Sequence, residues 1–275
     1  LVLLFNYVPI FGWIYSVFDY VPGVPILECD FMGLDYFKMI MKDANVIRAL
    51  KNTFIFAGIS IILTPLPMIF AILLNEIKSG PVRKFVQTFT TLPNFISWVI
   101  IFSLAFSLFS TDGLMTSVIT KITGAEQAQS VLSSKGSVYW FQTFLAQWKT
   151  LGWNSIIYLA AIAGIDQQQY EAAKVDGANA FQRFKSITLP MLTPTTFFVS
   201  IMLTIACFKV FDLISVMTNG GPGRATNVLV YHIYNTAFIN YEFGYASAIS
   251  MVLFAIVLTI TVIQFKTEKK WVSYM

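Results

Sequence analysis

The side chains in this sequence that could do chemistry are amides, hydroxyls and indoles set inside long apolar stretches. Aromatic faces and hydrogen-bonding side chains are together suited to holding sugars, which present C–H faces and hydroxyl groups. Polar groups are costly in hydrocarbon unless they face protein or a water-filled path. We therefore predict a polar path through the apolar stretches, with nine candidate residues: Asn94, Ser97, Trp98, Gln147, Trp148, Trp153, Asn154, Lys209 and Asp212.

Each candidate also has an ordinary structural interpretation, which stays open. Trp is common at membrane edges, and Ser or Asn side chains often tie membrane helices together. Lys209 and Asp212 are three residues apart, so a shared helix face and an ion pair are expected. The other position for Lys209 is the outer boundary, where a lysine can snorkel. If Lys149 or Lys209 faces the path without a partner, an acidic sugar is favoured.

The sequence lacks the residue patterns typical of nucleotide binding, nucleophilic catalysis and metal binding. The sequence has no G-x-x-x-x-G-K-[ST] phosphate-binding loop and no G-x-S-x-G nucleophile motif. Its one histidine, His232, does not form a convincing metal-ligand pattern, and we expect it at a surface or interface. Cys29 and Cys207 lie far apart, so no disulfide is predicted, and Cys207 is expected to fill space. We expect no enzyme activity and no cofactor or metal bound by this chain.

The elements that must carry these residues are membrane helices. The chain has 275 residues, of which 56% are hydrophobic and 12% charged, against about 25% charged in a typical soluble domain. This composition argues against a soluble or disordered protein, and the scattered net charge of +4 argues against nucleic-acid binding. A helix crosses the hydrocarbon core with about 20 apolar residues. Six stretches qualify: 1–18, 52–75, 85–111, 136–165, 186–208 and 243–265.

We therefore predict an all-α, polytopic bundle of six transmembrane helices that forms one domain, 1–275. Residues 1–18 are expected to be a truncated first helix and not a signal peptide, because no charged region precedes the apolar run. Residues 35–51 have helical apolar spacing and are expected to lie along the outer interface. Pro65, Pro67 and Pro93 should kink or unwind their helices, either as hinges or as static shaping.

The distribution of basic residues predicts the orientation. Six spans place both ends on one side, and the loops of that side carry nine Lys and Arg in 44 residues, against seven in 87 on the other. The denser side, and so both ends, should be cytoplasmic. The inner segments are then 76–84, 166–190 and the tail 266–275, and the outer ones are 19–51, 110–138 and 218–242.

The most informative segment is the predicted cytoplasmic loop 166–190, which has the pattern of a helix, a turn and a second helix. Asp166 can cap the first helix, with Gln169 three residues on. Gly177 suits the left-handed conformation that ends a helix. Leu189-Pro190 is expected to break the second helix and begin the next span. From these properties alone, an ordinary interfacial hairpin is the simpler interpretation.

The residue pattern of this segment, however, resembles the EAA loop of binding-protein-dependent ABC importer permeases. Glu171-Ala172-Ala173, then Gly177, then Ile187-x-Leu189-Pro190 match that motif without a mismatch. The longer stretch EAAKVDGANAFQRFKSITLPML is similar to the carbohydrate branch of type I importers, which includes maltose, glycerol-3-phosphate and polysaccharide-type permeases. Similar stretches extend over nearly the whole chain: Asn52-Thr53, 71–75, 92–98, Gly152-Trp153-Asn154, 218–222 and 243–248.

The resemblance implies one permease subunit of a bacterial importer in the lipid of the cytoplasmic membrane. This subunit is expected to move a carbohydrate, and specifically an oligosaccharide, inward by ATP-driven alternating access. The resemblance implies a second permease chain in a heterodimer, two cytoplasmic ATPase subunits that hold ATP and Mg, and an external solute-binding protein. It also implies that the loop 166–190 docks on the ATPase, with these coupling residues: Glu171, Ala172, Ala173, Asp176, Gly177, Leu189 and Pro190.

Three alternatives remain. The same machinery could carry a glycerol phosphodiester, an amino acid or an anion, although the DGA-x5-F continuation and the LPNFISW stretch favour sugars. A secondary transporter would need an inverted repeat or membrane carboxylates, and only Asp212 is available in the predicted spans. A membrane scaffold would not explain a complete coupling motif.

Overall fold

The protein folds as a bundle of helices. The computed structural model describes residues 1–123 and 136–271, so parts of the predicted outer loop 110–138 and of the tail 266–275 lie outside the described residues. The described residues contain helices and one isolated β-bridge, which confirms the all-α prediction. The α-helices are α1 (Asp35–Ile40), α2 (Ala44–Ile62), α3 (Pro65–Glu76), α4 (Gly80–Thr91), α5 (Trp98–Phe109), α6 (Leu114–Thr123), α7 (Ser137–Ala163), α8 (Gln167–Val175), α9 (Ala180–Arg183), α10 (Leu189–Phe208), α11 (Asp212–Met217), α12 (Leu229–Tyr234) and α13 (Phe243–Trp271).

Six shorter or irregular helical segments of the described residues accompany them. The N-terminal apolar segment is a π-turn followed by a 3₁₀-helix, two further 3₁₀ turns precede α1 and α5, and π-turns precede α10 and follow α12. Their bounds are Leu3–Tyr7, Val8–Val17, Ile26–Glu28, Leu92–Phe95, Phe184–Thr188 and Asn235–Ile239.

Four helical runs among the described residues are long and apolar enough to cross a membrane. The first predicted span corresponds to a shorter apolar helix, Leu3–Val17. The fourth corresponds to α7, which is 27 residues long but carries more polar side chains. The polytopic bundle is therefore confirmed, and the count of six crossings stays a prediction. The four runs are Ala44–Glu76, Trp98–Ile122, Ala180–Phe208 and Phe243–Thr267.

The helix of the second predicted span begins before residue 52, where the uncharged stretch starts. The Asp43 carboxylate caps α2 by accepting a hydrogen bond from the Asn45 backbone N–H at 2.8 Å, so the residues from Ala44 onward belong to the spanning helix. Only α1 remains separate from it, which corrects the prediction of one interfacial helix over 35–51. The physical reason is the cap, which satisfies a free N–H of the first turn and fixes where the helix starts.

Prolines divide the spans where the sequence predicts. The run of α2 and α3 is interrupted by a turn at Leu63–Thr64, directly before Pro65. The third predicted span, 85–111, is α4 and α5, separated by the 3₁₀ turn that contains Pro93 and by two extended residues. Proline has no N–H to continue a helical ladder, so both breaks fall beside one. The apolar run then continues past α5 into residues that the sequence assigned to an outer loop.

The core of the bundle is organised around α7. Tyr158 of this helix is fully buried against Leu74 of α3 and Leu192 of α10. Elsewhere α7 approaches the backbone of α4, because a Cβ at Gly152 would lie 2.2 Å from the carbonyl oxygen of Thr90. A helix that touches three neighbours in this way fixes the position of every polar side chain that it carries.

The last helix, α13, packs against the N-terminal segment and α1. A Cβ at Gly244 would lie 2.2 Å from the carbonyl oxygen of Phe18, so the two backbones are in close contact. The Tyr36 hydroxyl of α1 donates to the Asp19 carboxylate at 2.8 Å. Burial and this carboxylate raise the pKa of Tyr36, so its hydroxyl remains a donor at any physiological pH.

Candidate functional site

A cavity lined by both apolar and polar side chains lies between α2, α5, α7, the end of α10 and α11. Its volume is about 300 Å³. Trp98, Gln147, Lys209 and Asp212, four of the nine predicted path residues, line it together although they come from distant parts of the chain. The tertiary structure therefore brings indole, amide, ammonium and carboxylate groups to one space. The polar members of the lining are Ser60, Thr143, Gln147, Thr150, Lys209 and Asp212.

The contribution of α7 to the cavity is a stripe of polar residues. Thr143, Gln147 and Thr150 are spaced by four and three residues, so they lie on one helix face. The amide nitrogen of Gln147 is buried and has no hydrogen-bond partner among the described residues. Gln147 thus lines the cavity with an amide whose nitrogen is enclosed and unpaired in this structure. The sequence analysis missed the two threonines, although the same 3–4 spacing could have found them.

The two charged residues of the lining do not form the predicted ion pair. Helix α10 ends at Phe208, and Asp212 begins α11, so Lys209 and Asp212 do not share a helix face. Both are exposed, and within residues 1–123 and 136–271 the salt-bridge distance is met only by Lys38 and Asp35. The prediction of a pair is wrong because the chain turns between the two residues. Lys209 thus faces the cavity without a carboxylate partner.

Lys149 occupies a different place. Its side chain is buried, and its ammonium donates to the carbonyl oxygens of Pro93, Asn94 and Ile96 at 3.1, 2.8 and 2.5 Å. The ammonium also lies 5.4 Å from the centre of the Trp98 ring. Lys149 therefore binds the break between α4 and α5, and it is not one of the residues that line the cavity.

The remaining path candidates lie outside this lining. Ser97 caps α5, since its hydroxyl accepts a hydrogen bond from the Ile100 backbone N–H at 3.4 Å. Trp153 packs edge-on against Phe95, with ring centres 5.8 Å apart. Their part in a path, and that of the three other candidates, stays a prediction. These three are Asn94 at the break and Trp148 and Asn154 on α7.

At the predicted outer end, Asn52 joins three elements. It is 4% exposed, and its amide nitrogen donates to the carbonyl oxygens of Arg224 and Asn227, each at 3.0 Å. Its amide oxygen accepts from the Tyr139 hydroxyl at 2.9 Å. The side chain is fully used, so it ties α2 and α7 to the segment 218–228. Sequence reasoning noted Asn52 only as part of the resemblance.

His232, in α12, is partly buried, in keeping with the expected interface position. Burial lowers the pKa of its imidazole, Arg224 lowers it further, and the Asp43 carboxylate opposes both. The imidazole is therefore uncharged at neutral pH. Among the described residues, no group of three His, Cys, Asp or Glu side chains is placed to hold a metal ion.

The segment 166–190 has the predicted helix, turn and helix. The Asp166 carboxylate caps α8 by accepting from the Gln168 N–H at 2.9 Å. Gly177 follows with φ of +77°, the left-handed conformation expected of it. A reciprocal capping box is found on the second helix, where Asn179 and Gln182 bond each other's backbone N–H at 2.9 and 2.8 Å.

The predicted coupling residues present one accessible surface. Glu171, Ala172 and Asp176 are exposed, as is Gly177, where a Cβ would meet no atom within 4 Å. Val175, beside them, is 88% exposed. Small, open positions next to an exposed apolar side chain allow another protein to approach closely. Of the other predicted members, Ala173 is partly buried, and Leu189 and Pro190 begin α10.

The segment continues into the following span without the predicted break at Leu189-Pro190. The helix runs from Ala180 to Phe208, with a π-turn over Phe184–Thr188. Such a wider turn changes the pattern of backbone hydrogen bonds ahead of a proline, which cannot donate one. The Tyr170 hydroxyl lies 2.8 Å from the Thr188 hydroxyl and joins α8 to the same helix. The segment is thus joined directly to the span that ends at the cavity.

Apolar spans, a partly polar cavity between them and an exposed helical segment continuous with one span together define a polytopic membrane transport protein. A family model described as binding-protein-dependent transport system inner membrane component matches residues 63–270. The chain belongs to this family, and the predicted resemblance is confirmed.

Relatives of known name support the assignment. Protein LplB of Bacillus subtilis is 32% identical over 90% of this chain and 79% of its own length. The polygalacturonan/rhamnogalacturonan transport system permease protein YteP of the same organism is 31% identical over 98% of this chain and 84% of its own. A crystal structure of a bacterial ABC transporter that imports the acidic polysaccharide alginate has a chain that superposes with a TM-score of 0.87, at 27% identity, over 98% of this chain and 91% of that one.

Proposed function

We propose that this chain is a permease subunit of a bacterial ABC importer and that its cargo is a carbohydrate, most simply an oligosaccharide. The observation that carries the proposal is the cavity of about 300 Å³, in which an indole, an amide and two charged side chains meet between spans. These are the groups that recognise a polyhydroxylated ligand. The names of YteP and of the alginate importer, both of which handle polysaccharides, support the same cargo class.

The partners follow from the accessible segment 166–190. We propose that it docks on a cytoplasmic ATPase subunit, one of two, and that ATP and Mg are bound and ATP is hydrolysed there. A second permease chain, different from this one, completes the membrane part, and an external solute-binding protein delivers the cargo. Support for a binding protein comes from a related alginate importer in complex with a pentasaccharide-bound periplasmic protein. Both ends of this chain are then cytoplasmic.

The mechanism we propose is alternating access. Closure of the ATPase pair moves the segment, and the helix from Ala180 to Phe208 carries that motion to Lys209 at the cavity. The cavity accepts cargo from the outside in one state and releases it inward after hydrolysis. The coupling surface is formed by Glu171, Ala172, Ala173, Asp176, Gly177, Leu189 and Pro190.

The decisive test is binding-protein-stimulated ATPase activity of the reconstituted complex across neutral and acidic oligosaccharides, wild type beside Gly177→Asp. A Cβ at Gly177 meets no atom of this chain within 4 Å, but its φ of +77° strains any residue with a side chain, as the φ of +93° does at the equally open Gly23. Gly23→Asp is therefore the control for backbone strain, and Gly80→Asp, exposed with equal room at the start of α4, is the control for an added carboxylate. We expect stimulation by one sugar class, reduced at least about tenfold by Gly177→Asp, and unchanged in Gly23→Asp and Gly80→Asp.

Three results would contradict the proposal. Stimulation that persists in the Gly177→Asp complex would show that the segment is only an interface. Stimulation by glycerol phosphodiesters, amino acids or anions, with none by sugars, would establish the alternative cargo. If no ATPase co-purifies with the chain and transport follows an ion gradient, the protein is a secondary transporter.

A further inference from the structure

The break between α4 and α5 contains a buried cation whose bonds are all to the backbone. Lys149 is 9% exposed, and an ammonium has three N–H groups to donate. Three carbonyl oxygens accept them: those of Pro93, Asn94 and Ile96. No carboxylate of the described residues lies within salt-bridge distance of it. This lysine therefore has a complete set of partners that come from a single turn of chain.

Those carbonyl groups need a donor. The 3₁₀ turn over Leu92–Phe95 ends a helix, and the last carbonyl groups of a helix have no partner within it. They also carry the negative end of the helix dipole, which attracts a cation. Inside a membrane, where water does not reach, unpaired carbonyl groups are costly. The Pro93 carbonyl also accepts from the Ile96 N–H at 3.2 Å, so the ammonium matters most for the carbonyl groups of Asn94 and Ile96, and through them the shape of the break depends on Lys149.

The break is connected to the cavity through Trp98. This residue begins α5 two positions after the bonded carbonyl of Ile96, and its ring lines the cavity. The Lys149 ammonium lies 5.4 Å from the ring centre, within the range of a cation–π contact. Lys149 thus restrains Trp98 twice, through its backbone and through its ring. Close packing at Gly152, about one turn further along α7, keeps α7 in register with α4, the helix before the break.

We propose that Lys149 is a positioning residue of the transport path, which fixes the Trp98 ring at the cavity wall so that cargo affinity depends on Lys149 through Trp98. The inference rests on the proposed function, because it takes the cavity as the path of the cargo. A lysine with only a structural role would affect assembly, whereas a positioning residue changes the affinity for cargo.

The test is a double-mutant cycle on the reconstituted complex with the stimulating oligosaccharide found above. Lys149→Met removes the donors at similar length, and Lys42→Met, at an exposed position, is the matched control. We expect Lys149→Met to raise the KM for cargo about tenfold with kcat within about twofold. In a Trp98→Ala background the same substitution should raise KM less than about twofold. Lys149→Gln, which keeps two donors, replaces the methionine variant if that complex does not assemble.

A second readout does not require transport. The Trp98 fluorescence is obtained by subtracting the emission of the Trp98→Phe counterpart from that of each complex. We expect acrylamide to quench this component about twice as strongly, or more, in Lys149→Met as in Lys42→Met. Equal KM effects with and without Trp98, or unchanged quenching, would overturn the inference. If the wild type responds to no sugar, the proposed function fails, and the quenching comparison alone decides whether Lys149 positions Trp98.

Discussion

At the scale of single residues, two lysines of similar sequence setting have different environments. Lys149 is the one charge of its predicted span, yet its ammonium is satisfied by three carbonyl oxygens and does not line the cavity. Lys209 was expected to be paired, yet it is exposed at the cavity and has no carboxylate partner among the described residues. The two environments differ because the carbonyl groups of a helical break lie beside the Lys149 ammonium, whereas Lys209 follows the end of α10 and faces the cavity.

The free ammonium of Lys209 predicts a preference for acidic cargo. A hydrogen bond to a charged group contributes about 1.5–3 kcal/mol, so Lys209→Gln should reduce uptake of uronate-containing oligosaccharides about tenfold or more. Uptake of a neutral oligosaccharide should change little. Asp212 lies in the same lining, so Asp212→Asn is the opposite control and should leave or raise acidic uptake. Unchanged uronate uptake in Lys209→Gln would show that this lysine does not meet the cargo.

At the scale of elements, the breaks in the helices shape the site. Prolines end the regular ladder before α3 and within the third predicted span, and a π-turn lets the fifth continue past Pro190. At the break between α4 and α5, the Lys149 ammonium donates to the carbonyl groups that the break exposes. The unbroken α7 holds these segments by packing against α3, α4 and α10.

The contact of α7 with α4 predicts a large effect from one methyl group. A Cβ at Gly152 would lie 2.2 Å from a backbone carbonyl oxygen, and backbone cannot move aside as a side chain can. We expect Gly152→Ala to destabilise the chain by about 1–3 kcal/mol, seen as a lower melting temperature of the detergent-solubilised complex. Gly58→Ala, in the interior of α2 with nothing within 4 Å, is the matched control. It should be neutral or stabilising by up to about 1 kcal/mol, and equal effects at both sites would contradict the packing argument.

At the scale of the whole molecule, the number of crossings determines which ends of the helices share a side. The cavity opens near the end of the helix from Ala180 to Phe208, and the exposed segment 166–190 lies at its beginning. A transport subunit needs these two regions at different depths of the membrane. The arrangement predicted from the charges places the segment inside and Cys29 outside.

Thiol labelling tests this arrangement together with the crossing of α7. Three predicted spans separate Cys29 from Lys174, so the two lie on opposite sides only if α7 crosses the membrane. In a Cys207→Ser chain, a membrane-impermeant maleimide should label Cys29 in right-side-out vesicles. In a cysteine-free chain, Lys174→Cys should be labelled only in inverted vesicles. Labelling of both positions from the same side would show that α7 does not cross and would reduce the count.

The sequence by itself determined the class of the protein and the kind of each element. Composition fixes the membrane setting, prolines mark the helix breaks, and Asp166 and Gly177 mark the start and end of α8, because each of these depends on local chemistry. Only the tertiary structure decided which polar residues share a cavity, that Lys149 binds a distant turn and that no carboxylate in the described part of the chain pairs with Lys209. These facts depend on how helices far apart in the chain pack, and a single sequence records spacing along one helix but not the contact between two.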